Sequence, residues 1–245
     1  MGRRALVTGG GQGIGLAVVR RLTQAGVHCT VFDRNQASRD EVVAATGPAP
    51  ADFACVDVTD TGAVAAAVAT ASAIAPFDVV VTSAGVALHG SSLEVTEQEW
   101  KRVLDVNTTG TFWVVREAAR HMIAAGRAGS VVMIGSMSGD IANAPQAQSA
   151  YNASKGAVHV LAKCLAIEWA TEDIRVNAVA PGFVGTELTR QGVDPEWIAE
   201  WERRTPQQRM GTPAEIAELV EFVSSERASY MTGSVVTIDG GYTAW

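Results

Sequence analysis

Short apolar runs alternate with longer helical patterns along the whole of this chain, and that alternation restricts its fold more than any single motif. Strand-like runs fall at residues 4–8, 27–32, 52–56, 77–82, 130–135, 174–179 and 234–238, with helical patterns between them, notably at 62–75, 97–125, 150–172 and 213–224. Strands separated by helices pair in parallel, since only a long crossover returns the chain to the same end of a sheet. Such crossovers are right-handed and cover both sheet faces. The expectation is an α/β fold of Rossmann type: one doubly wound, seven-stranded parallel sheet with helices on both faces. No Pro-, Ser- or Gly-rich spacer, charge block or internal repeat divides the 245 residues, so 1–245 reads as a single domain. A hydrophobic fraction of 47% with 18% charged residues suits the large core that such a sheet needs. Ligands of such sheets sit beyond the carboxyl ends of the strands, at the point where strand order reverses.

The motifs fall at those ends. Ala5-Leu-Val7 runs into Thr8-Gly-Gly-Gly-Gln-Gly-Ile-Gly15, and an amphipathic stretch from Leu16 to Ala25 follows and stops at Gly26. Strand, glycine turn and helix together aim backbone N–H groups at a pyrophosphate. The spacing is GxxxGxG through Gly9, Gly13 and Gly15, not the commoner GxGxxG. The second strand ends in Asp33, twenty residues past Gly13, where a carboxylate can accept from the adenosine ribose hydroxyls. Farther on, Tyr151 and Lys155 stand four apart in a helical pattern, on one face with side-chain bases about 5–6 Å apart. An ammonium beside a phenol favours the phenolate. Bringing a tyrosine from its ordinary pKa near 10 towards neutrality takes roughly 4 kcal/mol of differential interaction. A positively charged nicotinamide would be the second cation that helps supply it.

In motif order the chain resembles the short-chain dehydrogenase/reductase family from end to end. The glycine turn, Asp57, Asn107 in Asp-Val-Asn-Thr, Ser136, the Tyr151/Lys155 pair, Pro181-Gly182 and Asp239-Gly-Gly241 all occur in register. The resemblance implies a catalytic set of Asn107, Ser136, Tyr151 and Lys155. Ser136 would bind the substrate oxygen and Tyr151 would be the acid–base group. Lys155 would tune Tyr151 and bind the nicotinamide ribose, and Asn107 would hold a water for proton transfer. Ser138 is the alternative catalytic serine, being thirteen residues before Tyr151 where Ser136 is fifteen. The implied cofactor contacts are Gly9, Gln12, Gly13, Ile14 and Gly15 at the pyrophosphate, Asp33 at the ribose, and Asp57 and Val58 at the adenine. Ser83, Ala84, Gly85, Tyr151, Lys155, Pro181, Gly182, Val184 and Thr186 complete them. The family usually has Asn-Asn-Ala-Gly where this chain has Thr82-Ser83-Ala84-Gly85, so the side-chain ties between strands at that point do not carry over. Residues 185–210 correspond to the family's substrate lid, and Trp197 and Trp201 within it fit either a lid face or a core stripe.

The stretch from Ser136 to Tyr151 and the Gly-Tyr-Thr-Ala-Trp ending resemble polyol dehydrogenases of the galactitol and sorbitol type. The implied substrate contacts are Ser136, Ser138, Asn143 and Tyr151, with Gln146 or Gln148, and His89 opposite. The expected reaction is hydride transfer between NAD(H) and a secondary alcohol or ketone, a polyol and its ketose. NAD is expected over NADP because Asp33 would repel a 2′-phosphate, although Arg34 stands beside it. The alternatives are a 3-oxoacyl thioester reductase, which normally wants a basic residue where Gln12 and Asp33 stand, and a non-catalytic dinucleotide-binding regulator.

Net charge of −7 and scattered basic doublets argue against a nucleic-acid partner. No apolar run reaches the ~18–20 residues of a membrane span. Cys29, Cys55 and Cys164 read as buried, reduced thiols of a cytoplasmic protein. No metal is called for. Long apolar helices at 97–125 and 150–172 point to a homotetramer.

Overall fold

The computed structural model of the protein describes residues 2–47, 51–190 and 193–244. Seven strands form one sheet: β1 (Arg4–Thr8), β2 (His28–Asp33), β3 (Ala51–Cys55), β4 (Val79–Thr82), β5 (Gly129–Ile134), β6 (Ile174–Pro181) and β7 (Val235–Ile238). All pairings are parallel and the spatial order is β3-β2-β1-β4-β5-β6-β7. The order reverses between β1 and β4, which leaves a crevice at their carboxyl ends.

Side chains alternate across the sheet and feed two apolar layers. Leu6, Val80, Val131, Met133 and Val176 pack into one, while Ala5, Val7, Val79, Val81, Val132 and Val179 pack into the other. The first layer is closed by α3 (Thr61–Ile74), α5 (Thr111–Ala124) and α6 (Ser149–Trp169), the second by α1 (Gly13–Gln24), α2 (Ser38–Thr46) and α9 (Pro213–Ser224). Each fully buried Val or Leu contributes about 1.5–3 kcal/mol, so the central strands are the firmest part of the fold.

Three details depart from the sequence expectation. Residues 97–125 do not form one α-helix: α4 (Glu97–Leu104) and α5 are joined by a wide π-helical turn, Asp105–Gly110. There the Thr111 hydroxyl donates to the Asn107 carbonyl at 2.8 Å, while the Asn107 side chain turns away to the segment after β4. Helix α2 was not anticipated, because only Ser38 and Val42 are buried on it and its apolar stripe is too thin to read. Finally, only Cys29 is buried; Cys55 ends the edge strand β3 and Cys164 lies on the outer face of α6, and both are exposed.

Beyond β6 lie the short helix α7 (Glu187–Arg190) and α8 (Pro195–Arg204). They form most of the expected lid; residues 191–192 of it, like Trp245 of the Gly-Tyr-Thr-Ala-Trp ending, lie outside the described residues. The two tryptophans divide the roles proposed for them. Trp201 is buried, stacks on Phe183 at 4.2 Å and donates its Nε1–H to Gln146 at 2.9 Å. Trp197 is half-buried and meets the His89 ring edge-on at 5.8 Å.

Candidate active site

Helix α1 begins directly beneath the crevice. Gly13, at φ +54°, adopts a left-handed conformation that few side chains tolerate, and so aims the next N–H groups outward. A Cβ on Gly15 would lie 2.1 Å from the Gly9 carbonyl oxygen, so the helix can enter this close only with glycine there. Gln12 caps α1 without a side-chain hydrogen bond and the first turn has no acidic residue, which leaves its N–H groups free for an anion. This turn fits a dinucleotide pyrophosphate.

One cleft collects most of the expected residues. Gly9, Gln12, Gly13, Ile14, Asp33, Asp57, Val58, Ser83, Ala84, Gly85, Ser136, Tyr151, Lys155, Pro181, Gly182, Val184 and Thr186 all line it. Gly15 does not; it supports the turn from below. At one end Asp33 is held by two backbone donors, Gly11 N to Oδ2 and Asn35 N to Oδ1, each at 3.0 Å. The Thr59 backbone and hydroxyl hydrogen bonds, with Arg34 of the cleft lining adding less, hold the Asp57 carboxyl below its usual range.

At the other end, α6 presents Tyr151 and Lys155 one turn apart beside Ser136 at the end of β5. Lys155 is buried, donates from Nζ to the Ile134 carbonyl at 2.8 Å, and sits 5.7 Å from the Tyr151 ring centre. Burial depresses its ammonium from 10.5 to about 8. Burial also raises the Tyr151 phenol, opposed by a hydrogen bond with Ser136. This is the direction in the protein alone, where burial of the phenol outweighs the hydrogen bond with Ser136; the second cation that the sequence reading invoked, a bound nicotinamide, would act the other way.

Ser136, not Ser138, lines the cleft together with Tyr151. Ser138 is buried and its Oγ accepts from Gln148 Nε2 at 3.2 Å. Asn143 Oδ1 accepts from Gln148 Nε2 at 2.9 Å and from Asn152 Nδ2 at 3.0 Å. Neither Ser138 nor Asn143 lines the cleft; their polar atoms hold the loop together instead. Gln146 is committed to Trp201. His89, half-buried, stands where burial lowers its pKa and a hydrogen bond with Gln148 opposes that shift.

Asn107 stands behind the cleft wall, 1% exposed. Its Oδ1 accepts from Val86 N at 2.8 Å, and its Nδ2 donates to Val86 O at 3.0 Å and Ser154 Oγ at 2.9 Å. It clamps the strand extension that carries Ser83, Ala84 and Gly85. Where the family has asparagines, main-chain donors tie this segment to β1: Ser83 N donates to Thr8 O at 3.1 Å and Ala84 N to the Thr8 hydroxyl at 3.4 Å. Val86 and Glu187–Thr189 also line the cleft and were not anticipated. Val86 carries no chemical signal in sequence, since it contributes a wall. Among the described residues no three His, Cys, Asp or Glu side chains gather in a way that could hold a metal ion, and no helix is long and apolar enough to cross a membrane.

A nucleotide-binding crevice at the switch point, with Ser, Tyr and Lys converging at its far end, defines a class of dehydrogenases and reductases. The sequence model of the family described as enoyl-(acyl carrier protein) reductase matches residues 9–243, and the chain belongs to the short-chain dehydrogenase/reductase family, oxidoreductases acting on alcohols. It is 46% identical over 245 residues to galactitol 2-dehydrogenase (L-tagatose-forming) of Cereibacter sphaeroides, covering 100% of this chain and 96% of that one. It is 42% identical to galactitol 2-dehydrogenase of Rhizobium johnstonii, covering 100% and 96%. The crystal structure of gox2181 superposes with a TM-score of 0.95 at 40% identity, covering 99% of this chain and 96% of that one. A putative 2-deoxy-D-gluconate 3-dehydrogenase from Agrobacterium tumefaciens, solved with bound NADP, superposes at 0.91 with 32% identity, covering 99% and 97%.

Proposed function

We propose that this protein interconverts a polyol and its ketose by NAD(H)-linked oxidation and reduction at a secondary carbon. The observation that carries this reading is one continuous cleft with Asp33 at its ribose end and Ser136, Tyr151 and Lys155 at its reacting end. A bound nicotinamide supplies the hydride acceptor or donor. Tyr151 Oη takes the substrate hydroxyl proton in oxidation and returns it in reduction. Ser136 Oγ hydrogen-bonds the same oxygen and favours the position in which that proton can move. Lys155 makes the phenolate less costly. Asn107, through Val86, holds the cleft wall that would face a bound cofactor.

The galactitol 2-dehydrogenase relatives and the polar cleft lining support a polyhydroxylated substrate. The polar groups of Ser136 and Tyr151 line the cleft, and buried polar groups disfavour an apolar substrate that would leave them unpaired. NAD rather than NADP is supported by Asp33, whose carboxylate would face a 2′-phosphate as a like charge. The NADP-bound relative and Arg34 make this the finer part of the reading. A panel of hexitols, pentitols, vicinal diols, simple secondary alcohols and 3-hydroxyacyl esters, assayed with NAD and NADP, tests both. Highest kcat/KM on acyl esters or long apolar alcohols would remove the polyol, and a lower KM for NADP would remove NAD.

A homotetramer is supported by the outer face of α6, where Val160 and Ile167 are 59% and 81% exposed. Exposed, unpaired Cys55 and Cys164 suit a reducing compartment such as the cytoplasm.

A further inference from the structure

Tyr151, Lys155 and His159 follow one another at four-residue steps along α6, so the imidazole lies on the catalytic face, one turn beyond Lys155. His159 is 3% exposed, and its ring fills a slot cut by two glycines on either side of Ser136. A Cβ on Gly135 would lie 2.5 Å from His159 Nε2, and one on Gly139 would lie 2.7 Å from Cε1. Within the slot both ring nitrogens are engaged. Ser136 N donates to Nε2 at 3.5 Å, and Nδ1 lies 3.1 Å from Asp140 Oδ1. A single tautomer satisfies both contacts: neutral, with its proton on Nδ1 given to the Asp140 carboxylate and Nε2 left as acceptor.

We propose that His159, oriented by Asp140, is a positioning residue that sets the backbone of Ser136 and thereby aims its hydroxyl at Tyr151 and the substrate oxygen. The inference rests on the alcohol-oxidising role of Ser136 and Tyr151 given above. The loop has other anchors there: Gly135 N donates to Val179 O at 2.7 Å, Gly139 N returns to Ser136 O at 2.9 Å, and Ser138 N caps onto Ser136 Oγ at 3.1 Å. Three further ties reach it from the α6 side, Lys155 Nζ to Ile134 O at 2.8 Å, Gln148 Nε2 to Ser138 Oγ at 3.2 Å and Asn152 Nδ2 to Ile141 O at 2.7 Å, but none of them bonds Ser136 itself. His159 therefore bonds the Ser136 backbone directly to the helix that carries its two catalytic partners.

The test compares His159→Phe, which keeps a ring in the slot, and Asp140→Ala, at an exposed side chain. Both are measured alone and in a Ser136→Ala background. A displacement of an ångström at a reacting centre costs on the order of 100-fold. His159→Phe is expected to lower kcat about ten- to a hundredfold and Asp140→Ala about three- to tenfold, with NADH affinity within about twofold of wild type. In the Ser136→Ala background neither should cost more than about twofold further, because the residue they act through is gone. Long-range 1H–15N NMR of the wild type should find the His159 proton on Nδ1. A proton on Nε2, an unchanged kcat in Asp140→Ala, or an equal loss in the Ser136→Ala background would each overturn the proposal. If Ser136→Ala cripples turnover while His159→Phe does not, only the positioning role falls. If Ser136→Ala leaves kcat unchanged, the proposed chemistry of the site falls and the positioning role with it.

Discussion

Replacing Asn107 with alanine separates the two roles open to it, a clamp on the cleft wall and a holder of water for proton transfer. The side chain is 1% exposed and makes all three of its bonds inside the protein, two of them to Val86. Truncation strands the Val86 N–H and carbonyl. Each buried group left unpaired costs about 1–3 kcal/mol, and Val86 borders the cleft, so solvent recovers part of that. Ser154 loses little, because its hydroxyl still donates to the Tyr151 carbonyl at 2.7 Å. The sum is about 2–4 kcal/mol, a large share of the 5–15 kcal/mol by which a domain is stable. At this chain length each kcal/mol moves Tm by about 2–4 °C, so Asn107→Ala should melt about 4–16 °C lower. Circular-dichroism melts at fixed protein concentration provide the assay, since assembly also shifts Tm. A Tm within about 2 °C of wild type would refute the clamp. If Tm held while kcat collapsed, the asparagine would act through water instead.

Tyr151→Phe should lower turnover by about 10²–10⁴ while NADH binding, read by fluorescence, stays nearly intact; a tenth of the activity remaining would contradict the assigned mechanism. Asp33→Ala should raise KM for NAD and lower it for NADP, and unchanged discrimination would remove Asp33 from the ribose site. Lys155 holds its proton less tightly folded (about 8) than unfolded (10.5), so the unfolded chain binds more protons between those values and stability should rise with pH from about 8. The rise ends near pH 10, where the unfolded phenol ionises before the raised Tyr151; over the window it amounts to on the order of 2 kcal/mol in urea midpoints and should vanish in Lys155→Met. Ile167→Glu should shift light-scattering mass to a smaller species, and an unchanged mass would exclude that face of α6 from the assembly.

Seven parallel strands were legible in the sequence because each is a short apolar run closed by a turn signal, and the shift between strand and helix periods survives without tertiary context. The glycine turn and the Tyr151/Lys155 spacing were legible for the same reason: each depends on residues within about two turns of one another. What the sequence could not rank was competition among polar groups. Ser136 and Ser138, Asn143 and Gln148 are all plausible substrate contacts on paper. Packing decided between them, turning Ser138 and Asn143 into the loop and leaving Ser136 in the cleft beside Tyr151. Asn107 reads as helix-interior, yet the π-turn carries it to Val86, twenty-one residues earlier. Electrostatics went the same way. Spacing alone says that Lys155 lowers the Tyr151 pKa, but desolvation is a property of everything around the pair, and it reverses the sign for the protein by itself. His159 shows the division most plainly. Its four-residue step from Lys155 stood in the sequence throughout, but the glycine slot that gives the ring something to position is assembled only when β5 closes against α6.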